Sequence, residues 1–394
     1  MRARFFLPLL AATCLTLPAL ADDHAAAWRL FIADHAAPTV TALDLETGDT
    51  LDTFTLAGPA SLYTTDGGVF AVQGSANQVA AIDSGIAVED HGDHGDISIS
   101  APALIEATLT GEKPAHFVEH GGRVALFHDG SGKVDLFSAH DWVHHGEVAT
   151  TQLDSGTAHH GVAVPWGDYT LVSAANADDE KKPRTGLNVL DKAGNQVGET
   201  HACVDLHGEA TSGNLVIIGC GDGVLIVSGS GEPNIEKLSY DGLPDGKSTT
   251  FLGGVGMQYF LGNYGADRVA IIDPAEETAF RLVDLPTRRV HFAVDPIRPK
   301  FAYIFTEDGK LNQLDVVSGE ITQSLAVTEP YSMDGEWNLP RPRIAVAGDV
   351  VAVTDPNEGQ VHLIDIASFT ETRSLAVEGA PFNLVAVGGS GTVH

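Results

Sequence analysis

The chain has 394 residues, with 53 Asp and Glu against 22 Lys and Arg, and a formal net charge of −31. So acidic a surface would repel the phosphate backbone of DNA or RNA, so the composition excludes a nucleic-acid-binding protein. The same negative field would concentrate divalent cations near the protein.

Residues 1–21 are typical of a secretory signal peptide. Arg2 and Arg4 precede a mostly apolar run, and Ala-Leu-Ala at 19–21 fits the small-x-small pattern of a cleavage site. No later run reaches the ~20 apolar residues that a membrane helix needs. We therefore expect residues 22–394 to form one exported domain that does not insert into a membrane and is a monomer.

After this leader, the chain is a repeat of short β-strands. Runs of Val, Ile, Leu and Phe with period-two alternation are separated by turns rich in Gly, Asp and Asn. Residues 124–127 with 133–137 are one clear copy, and residues 350–353 with 360–365 are another. The unit of about 40 to 50 residues predicts the four-stranded antiparallel blades of an all-β protein, a β-propeller.

The copies predict eight blades, with seven as the main alternative. The innermost strands of seven blades are expected to start near Leu62, His116, Gly161, His207, Thr250, His291 and Ile344. The first blade, around residues 28–56, has no innermost strand of its own. We expect the C-terminal strand, residues 382–387, to supply it, which closes the ring and removes exposed sheet edges. The starts of the innermost strands then line a central channel.

One segment, residues 89–97, has almost no apolar content and contains the run Asp-His-Gly-Asp-His-Gly-Asp. Histidine is a common zinc ligand, and glycine leaves the backbone free to wrap around an ion. We predict a mobile loop in which Asp90, His91, Asp93 and His94 bind metal. The alternative is a solvated acidic loop.

Four of the predicted innermost strands begin with histidine. The histidines concerned are His116, His159 and His160, His207, and His291. We predict that they converge on one Zn²⁺ in the channel, because imidazoles with at most one carboxylate form a tetrahedral zinc site whereas calcium takes mainly oxygen ligands. Whether His159 or His160 faces the channel is left open. Asp205 and Glu209 are near enough in sequence to orient the imidazoles from behind. A structural role for each histidine is the alternative.

Other polar segments are expected at the surface. His128, His140, His144 and His145 belong to outer strands or loops of the third blade, with an accessory metal patch as the alternative for residues 141–145. The charged insertion at 178–184 is expected to be a solvated loop.

Two cysteines, Cys203 and Cys220, remain after the leader with Cys14 is removed. An even pair in an oxidising compartment favours a disulfide over a free dithiol.

The sequence resembles the AztD-type periplasmic zinc metallochaperones, which are β-propeller partners of zinc ABC transporters. The resemblance covers essentially the whole chain after residue 21 and is carried by the exported start, the His/Asp segment at 89–97, residues 203–210 and the blades that begin with histidine. It implies that the protein carries Zn²⁺ in the periplasm. It also implies that the metal is handed to the solute-binding protein of a zinc ABC transporter.

Two other classes of function compete with this interpretation. A metal-dependent propeller hydrolase, similar to a lactonase, would need an open zinc position and a general base, for which Glu209 and Asp205 are the candidates. A non-catalytic scaffold would use its histidines only structurally. The chain has no Gly-x-Ser-x-Gly, phosphate-loop or His-Glu-x-x-His motif, so we predict no catalytic residues.

Overall fold

The structure is a computed structural model that describes residues 26–90, 95–179 and 181–390. The predicted signal peptide lies outside the described residues. So do His91, Asp93 and His94 of the His/Asp segment, and the side chain of Asp90. In the part of the chain that is described, no helix is long and apolar enough to span a membrane.

Eight four-stranded antiparallel sheets form the blades of a β-propeller, so the predicted fold and blade number are confirmed. The strands of blades 1 to 4, in chain order, are β1 (Ala26–Asp34), β2 (Thr39–Asp44), β3 (Thr50–Thr55), β4 (Ser61–Thr65), β5 (Gly68–Gln73), β6 (Gln78–Asp83), β7 (Ile86–Asp90), β8 (Gly95–Ile99), β9 (Ala103–Thr110), β10 (Pro114–His120), β11 (Arg123–His128), β12 (Lys133–Phe137), β13 (Thr151–Asp154), β14 (Ala163–Trp166), β15 (Tyr169–Ala174), β16 (Gly186–Leu190) and β17 (Gln196–Ala202). Strands β7 and β8 form a separate hairpin inserted in blade 2.

The second half of the ring repeats the same order. Its strands are β18 (Glu209–Ser212), β19 (Leu215–Cys220), β20 (Gly223–Ser228), β21 (Asn234–Ser239), β22 (Phe251–Leu252), β23 (Phe260–Tyr264), β24 (Arg268–Ile272), β25 (Phe280–Asp284), β26 (Arg289–Val294), β27 (Phe301–Thr306), β28 (Lys310–Asp315), β29 (Glu320–Ala326), β30 (Ile344–Ala347), β31 (Val350–Asp355), β32 (Gln360–Asp365), β33 (Thr370–Ala376) and β34 (Pro381–Ser390). The helical elements are a 3₁₀ turn at Gly74–Ala76 and α1 at Ala139–His145, which connects β12 to β13.

The C-terminal strand closes the ring as predicted. Strand β34 pairs antiparallel with β1, so that Trp28 lies opposite Gly388 and Ile32 opposite Leu384. Blade 1 therefore takes its innermost strand from the other end of the chain. Joining the two ends in one sheet leaves no unpaired blade, which protects the ring against edge-to-edge pairing.

The core lies between neighbouring blades. Every residue of β5 is buried, because a second strand is covered on both faces by the adjacent blades. In the outermost strand β29, exposed and half-buried residues alternate, since only one face packs inward. The alternation of apolar and polar residues in the sequence therefore corresponds to strands such as β29 that pack on one face.

The predicted disulfide is confirmed: Cys203 is bonded to Cys220. Cys203 follows the last strand of blade 4, and Cys220 ends the second strand of blade 5. Both are buried. The disulfide therefore joins blade 4 to blade 5 on either side of His207 in the sequence. On the chain-entropy model, closing the loop between the two cysteines contributes about 3 kcal/mol to stability.

Two side chains expected at the surface are buried instead. His128 is 1% exposed, with Nε2 at 2.8 Å from Asp135 Oδ2. Arg184, at the end of the charged insertion, is also 1% exposed. Polar groups can be buried when they are hydrogen-bonded, and hydropathy does not reveal which groups have partners. His140, His144 and His145 are exposed, as expected, but they lie on α1 and not on an outer strand or a loop.

Candidate metal site in the channel

Three histidines from three consecutive blades meet in the channel. His116 lies on β10, His160 in the turn before β14, and His207 directly before β18. The Nε2 atoms of His116 and His160 are 3.1 Å apart. The ring centroid of His207 lies 5.1 Å from that of His160. Residues at equivalent positions of the repeat therefore form one cluster, which we call the histidine cluster.

Each ring of the histidine cluster is held from behind through Nδ1. His116 Nδ1 lies 2.8 Å from Glu209 Oε1, and His160 Nδ1 lies 2.9 Å from Asp129 Oδ2. His207 Nδ1 lies 3.1 Å from the carbonyl oxygen of Thr249. An oxygen acceptor at Nδ1 keeps the proton there and leaves the Nε2 lone pair available to a metal.

The charges around the cluster shift its titration. Burial lowers the pKa of His116, but the charge of Glu209 and the hydrogen bond to it outweigh burial, so the pKa is raised above its ordinary value. His207 has a lowered pKa, because of burial and because a positive charge on His160 or His116 would repel a positive charge on His207. Burial raises the pKa of Asp129, but its contact with His160 more than reverses this and lowers it. At 3.1 Å, the two Nε2 atoms of His116 and His160 can form a hydrogen bond only when one of them carries a proton.

The two carboxylates also supply the charge that a divalent cation requires. Asp129 Oδ1 and Glu209 Oε2 are buried without a hydrogen-bond partner among the described residues. A buried, unpartnered carboxylate oxygen is costly. Two negative charges behind three neutral imidazoles would balance Zn²⁺, so the donor set fits this ion.

Within the described ranges, no three His, Cys, Asp or Glu side chains already surround a common centre as a finished metal site. The histidine cluster is a candidate through its donor chemistry. The groups that would hold zinc there are the imidazoles of His116, His160 and His207.

Arg184 fixes the turn that carries His160. Its guanidinium donates to the carbonyl oxygens of Thr157 at 2.8 Å, His159 at 3.2 Å and His160 at 3.4 Å. This turn has no regular strand pairing, so a buried cation replaces the sheet ladder as the partner of its carbonyls. Sequence analysis assigned Arg184 to a solvated loop and missed this positioning role.

Sequence analysis also missed Asp129. A signal for it exists, because His128, at the end of β11, pairs with Pro114 at the start of β10. The residue that follows β11 therefore lies at the same end of the blade as His116. An acidic residue at this position could therefore have been predicted to contact the histidine cluster.

The structure does not bring the other predicted residues to this cluster. His159 Nε2 lies 3.2 Å from the carbonyl oxygen of Lys181, on the loop side. Asp205 has a side chain that is 52% exposed and lies 3.9 Å from Lys247 Nζ. His291, on β26 of blade 7, accepts a hydrogen bond at Nδ1 from the N–H of Ile344 at 3.1 Å. Of the predicted residues, His116, His160, His207 and Glu209 come together.

Comparison with known proteins also links the chain to zinc-binding proteins. The chain is 51% identical over 382 residues to the zinc chaperone AztD of Citrobacter koseri, covering 96% of this chain and 90% of that protein. The chain belongs to the AztD family. The crystal structure of C. koseri AztD matches with a TM-score of 0.91 over 94% of this chain and 100% of the other, and apo AztD from C. koseri with 0.89 over the same shares. The dihydro-heme d1 dehydrogenase NirN, at 13% identity and a TM-score of 0.58 over 94% of this chain and 77% of that chain, shares the fold alone with the family. No protein-family model matches the chain.

Proposed function

We propose that this protein binds Zn²⁺ at His116, His160 and His207 and delivers it to the solute-binding protein of a zinc ABC transporter. The observation that carries the proposal is the facing pair of imidazoles, each backed by a buried carboxylate. The name of the C. koseri relative, a zinc chaperone, supports the choice of cargo and of a carrier. Residues 1–21 would direct the protein to the periplasm as a cleaved signal peptide.

The geometry supports capture and release by ligand exchange. Glu209 and Asp129 keep the rings of His116 and His160 oriented before the metal arrives, so little side-chain freedom is lost on binding. Three imidazoles leave the fourth tetrahedral position of Zn²⁺ free. A ligand of the partner protein could occupy this fourth position before the histidines dissociate from the metal. Zinc would then pass to the partner without being released as a free ion.

We further propose that the segment at 89–97 is a second, transient zinc site that uses Asp90, His91, Asp93 and His94. The hairpin β7/β8, which carries this segment, lies against β34 and β1 of blade 1. The histidine cluster belongs to blades 3 to 5, so the two sites rest on different blades. The composition of the segment supports metal capture or contact with the partner during transfer.

A hydrolase is disfavoured by the positions of its two candidate bases. Glu209 is engaged with His116 Nδ1, and Asp205 is exposed and has no contact with the histidine cluster. Neither carboxylate is therefore available beside a zinc-bound water. The family name is that of a chaperone and not of an enzyme.

A competition experiment tests the carrier function. Zinc-loaded protein is mixed with the zinc-free solute-binding protein in the presence of excess chelator, and the metal in each fraction is measured over time. We expect zinc to reach the solute-binding protein without passing through the chelator. If the chelator intercepts all of the zinc, direct delivery is wrong.

Deleting residues 91–94 separates the two proposed sites. We expect the deletion variant to keep the zinc affinity of the histidine cluster and to transfer zinc more slowly or less selectively. The matched control is His291→Ala, which should load and transfer zinc like the unmodified protein. Loss of equilibrium binding with normal transfer per bound ion would make residues 89–97 the main site.

A further inference from the structure

The side of the channel opposite the histidine cluster contains a separate cavity of about 590 Å³. Its polar lining comes from blades 6, 7, 8 and 1. The residues that matter here are Thr249, Arg289, His291, Arg341, Arg343 and Asn383. The carbonyl oxygen of Thr249 also accepts from His207, so the cavity borders the histidine cluster.

Two arginines of this cavity, Arg289 and Arg343, lack acidic partners among the described residues. In the described ranges, neither Arg289 nor Arg343 forms an ion pair, although the chain has 53 Asp and Glu. Arg289 lies over the ring of Phe292 at 5.6 Å from its centroid, and Arg343 over Phe382 at 4.6 Å. Arg341 donates only to backbone carbonyls. Other arginines of the same half of the ring do pair with acids, for example Arg268 with Asp284.

Burial without a counter-charge lowers the pKa of these groups. Burial lowers the pKa of Arg289 to about 10, and burial together with Arg341 and Arg289 lowers the pKa of Arg343 to about 10. His291, between them, has a pKa lowered well below its ordinary value by burial, Arg343 and Arg289. The cavity is thus electropositive within an acidic protein.

The neutral groups in the cavity offer donors as well. His291 Nδ1 accepts from the N–H of Ile344, so the neutral ring carries its proton on Nε2. Asn383 Oδ1 accepts from the N–H of Leu62 at 3.4 Å, which leaves the amide NH₂ as a donor. Donors and positive charges without an acidic partner are the chemistry of an anion site.

We propose that this cavity binds a small organic anion through its carboxylate. A planar guanidinium matches a carboxylate with two parallel hydrogen bonds, and the cation–π contacts with Phe292 and Phe382 help to position both guanidiniums. The apolar lining by Leu252, Trp337 and Leu384 would take the hydrocarbon part of the ligand. The volume is within the roughly 300–1,000 Å³ that is usual for small-molecule sites.

Calorimetric titration of the zinc-free protein tests the proposal, with succinate and acetate as probes and uncharged succinamide as the control ligand. We expect succinate to bind and succinamide not to bind. Arg343→Gln and Arg289→Gln should each weaken succinate about tenfold or more, because each removes a charge-assisted pair of hydrogen bonds. The matched control Arg123→Gln, at a half-buried arginine of blade 3, should leave succinate binding unchanged.

A second readout does not depend on the stability of the arginine variants. In unmodified protein, NMR titration of His291 should give a higher pKa with succinate present, because the anion offsets the charges of Arg289 and Arg343. Zinc binding by the histidine cluster should persist in Arg343→Gln, so failure of the anion site and failure of zinc binding are distinguishable. Equal binding of succinate and succinamide, or no binding of either carboxylate, would overturn the proposal.

Discussion

The two sides of the channel place histidine at the same point of the repeat and give it opposite surroundings. His116 and His291 both lie near the start of an innermost strand, where the pairing with the second strand is irregular. His116 faces the carboxylate of Glu209 and has a raised pKa. His291 has Arg289 and Arg343 as neighbours and a strongly lowered pKa. The position in the repeat thus places a side chain at the channel. The charges on the neighbouring blades then determine whether that side chain favours a cation or an anion.

Removing the central imidazole of the histidine cluster should have the largest effect on zinc affinity. His160 contacts both other rings, so His160→Ala should lower zinc affinity by more than the roughly 10–100-fold that is typical of losing a residue that only orients a ligand. His291→Ala is the matched change on the arginine side and should leave zinc affinity unaltered. Competition with a fluorescent zinc chelator measures both. Equal losses in the two variants would mean that the two sides share one site.

Removing the carboxylates that orient the rings should have a smaller effect. Glu209→Gln and Asp129→Asn keep the side-chain shape but remove the charge behind His116 and His160, so we expect each to weaken zinc roughly 10–100-fold. Asp205→Asn is the control, because that carboxylate is exposed and touches no imidazole. An effect of Asp205→Asn as large as that of Glu209→Gln would contradict the assigned positions.

Acidification should weaken zinc binding through the same groups. A protonated imidazole cannot bind zinc, and the pKa of His116 is raised, so affinity should begin to fall at a pH above the ordinary histidine value of about 6.5. Glu209→Gln removes the cause of the raised pKa and should move the onset to lower pH. Zinc titrations between pH 5.5 and 8.5 decide this. Affinity that stays flat across this range would indicate a site dominated by carboxylates.

A histidine outside the channel tests whether a carboxylate contact alone makes a zinc ligand. His362, on β32, lies 2.9 Å from Glu371 and 3.6 Å from Asp355, and these acids raise its pKa. Its imidazolium therefore stabilises the fold fully below pH 6.5, and this stabilisation is lost as the pH rises through the folded-state pKa. His362→Gln should lower the free energy of unfolding by roughly 1–2 kcal/mol at pH 6 and by less at pH 9.

Zinc affinity should not change in His362→Gln, because no second imidazole contacts this ring in the part of the chain that the structure describes. Chemical denaturation at the two pH values gives the stability, and chelator competition gives the affinity. A stability loss that grows as the pH rises would show that the neutral ring is the stabilising form.

The sequence predicted what depends on the repeat. Alternating apolar residues were enough to predict eight blades, because the register of strands follows from this pattern. The missing strand of blade 1 was enough to predict closure by β34, because an unpaired sheet edge is unfavourable. The repeat also predicted that His116 and His207 lie at equivalent points. The disulfide followed from an even cysteine count.

The contacts between blades could not be predicted in the same way. Asp129 reaches His160 from the preceding blade. Arg184 belongs to the same blade as His160, but it is a loop that places its side chain beneath the turn of His160. The arginines around His291 come from separate blades as well. Such contacts depend on the geometry of the closed ring, which a strand-by-strand reading of the sequence does not contain.

Anomalous diffraction at the zinc edge, from crystals of the zinc-loaded protein, tests the central claim most directly. We predict an anomalous peak within bonding distance of Nε2 of His116, His160 and His207, with Glu209 and Asp129 still behind their rings and no peak beside His291. Zinc bound at His291, or at residues 89–97 alone with the histidine cluster free of metal, would contradict the account.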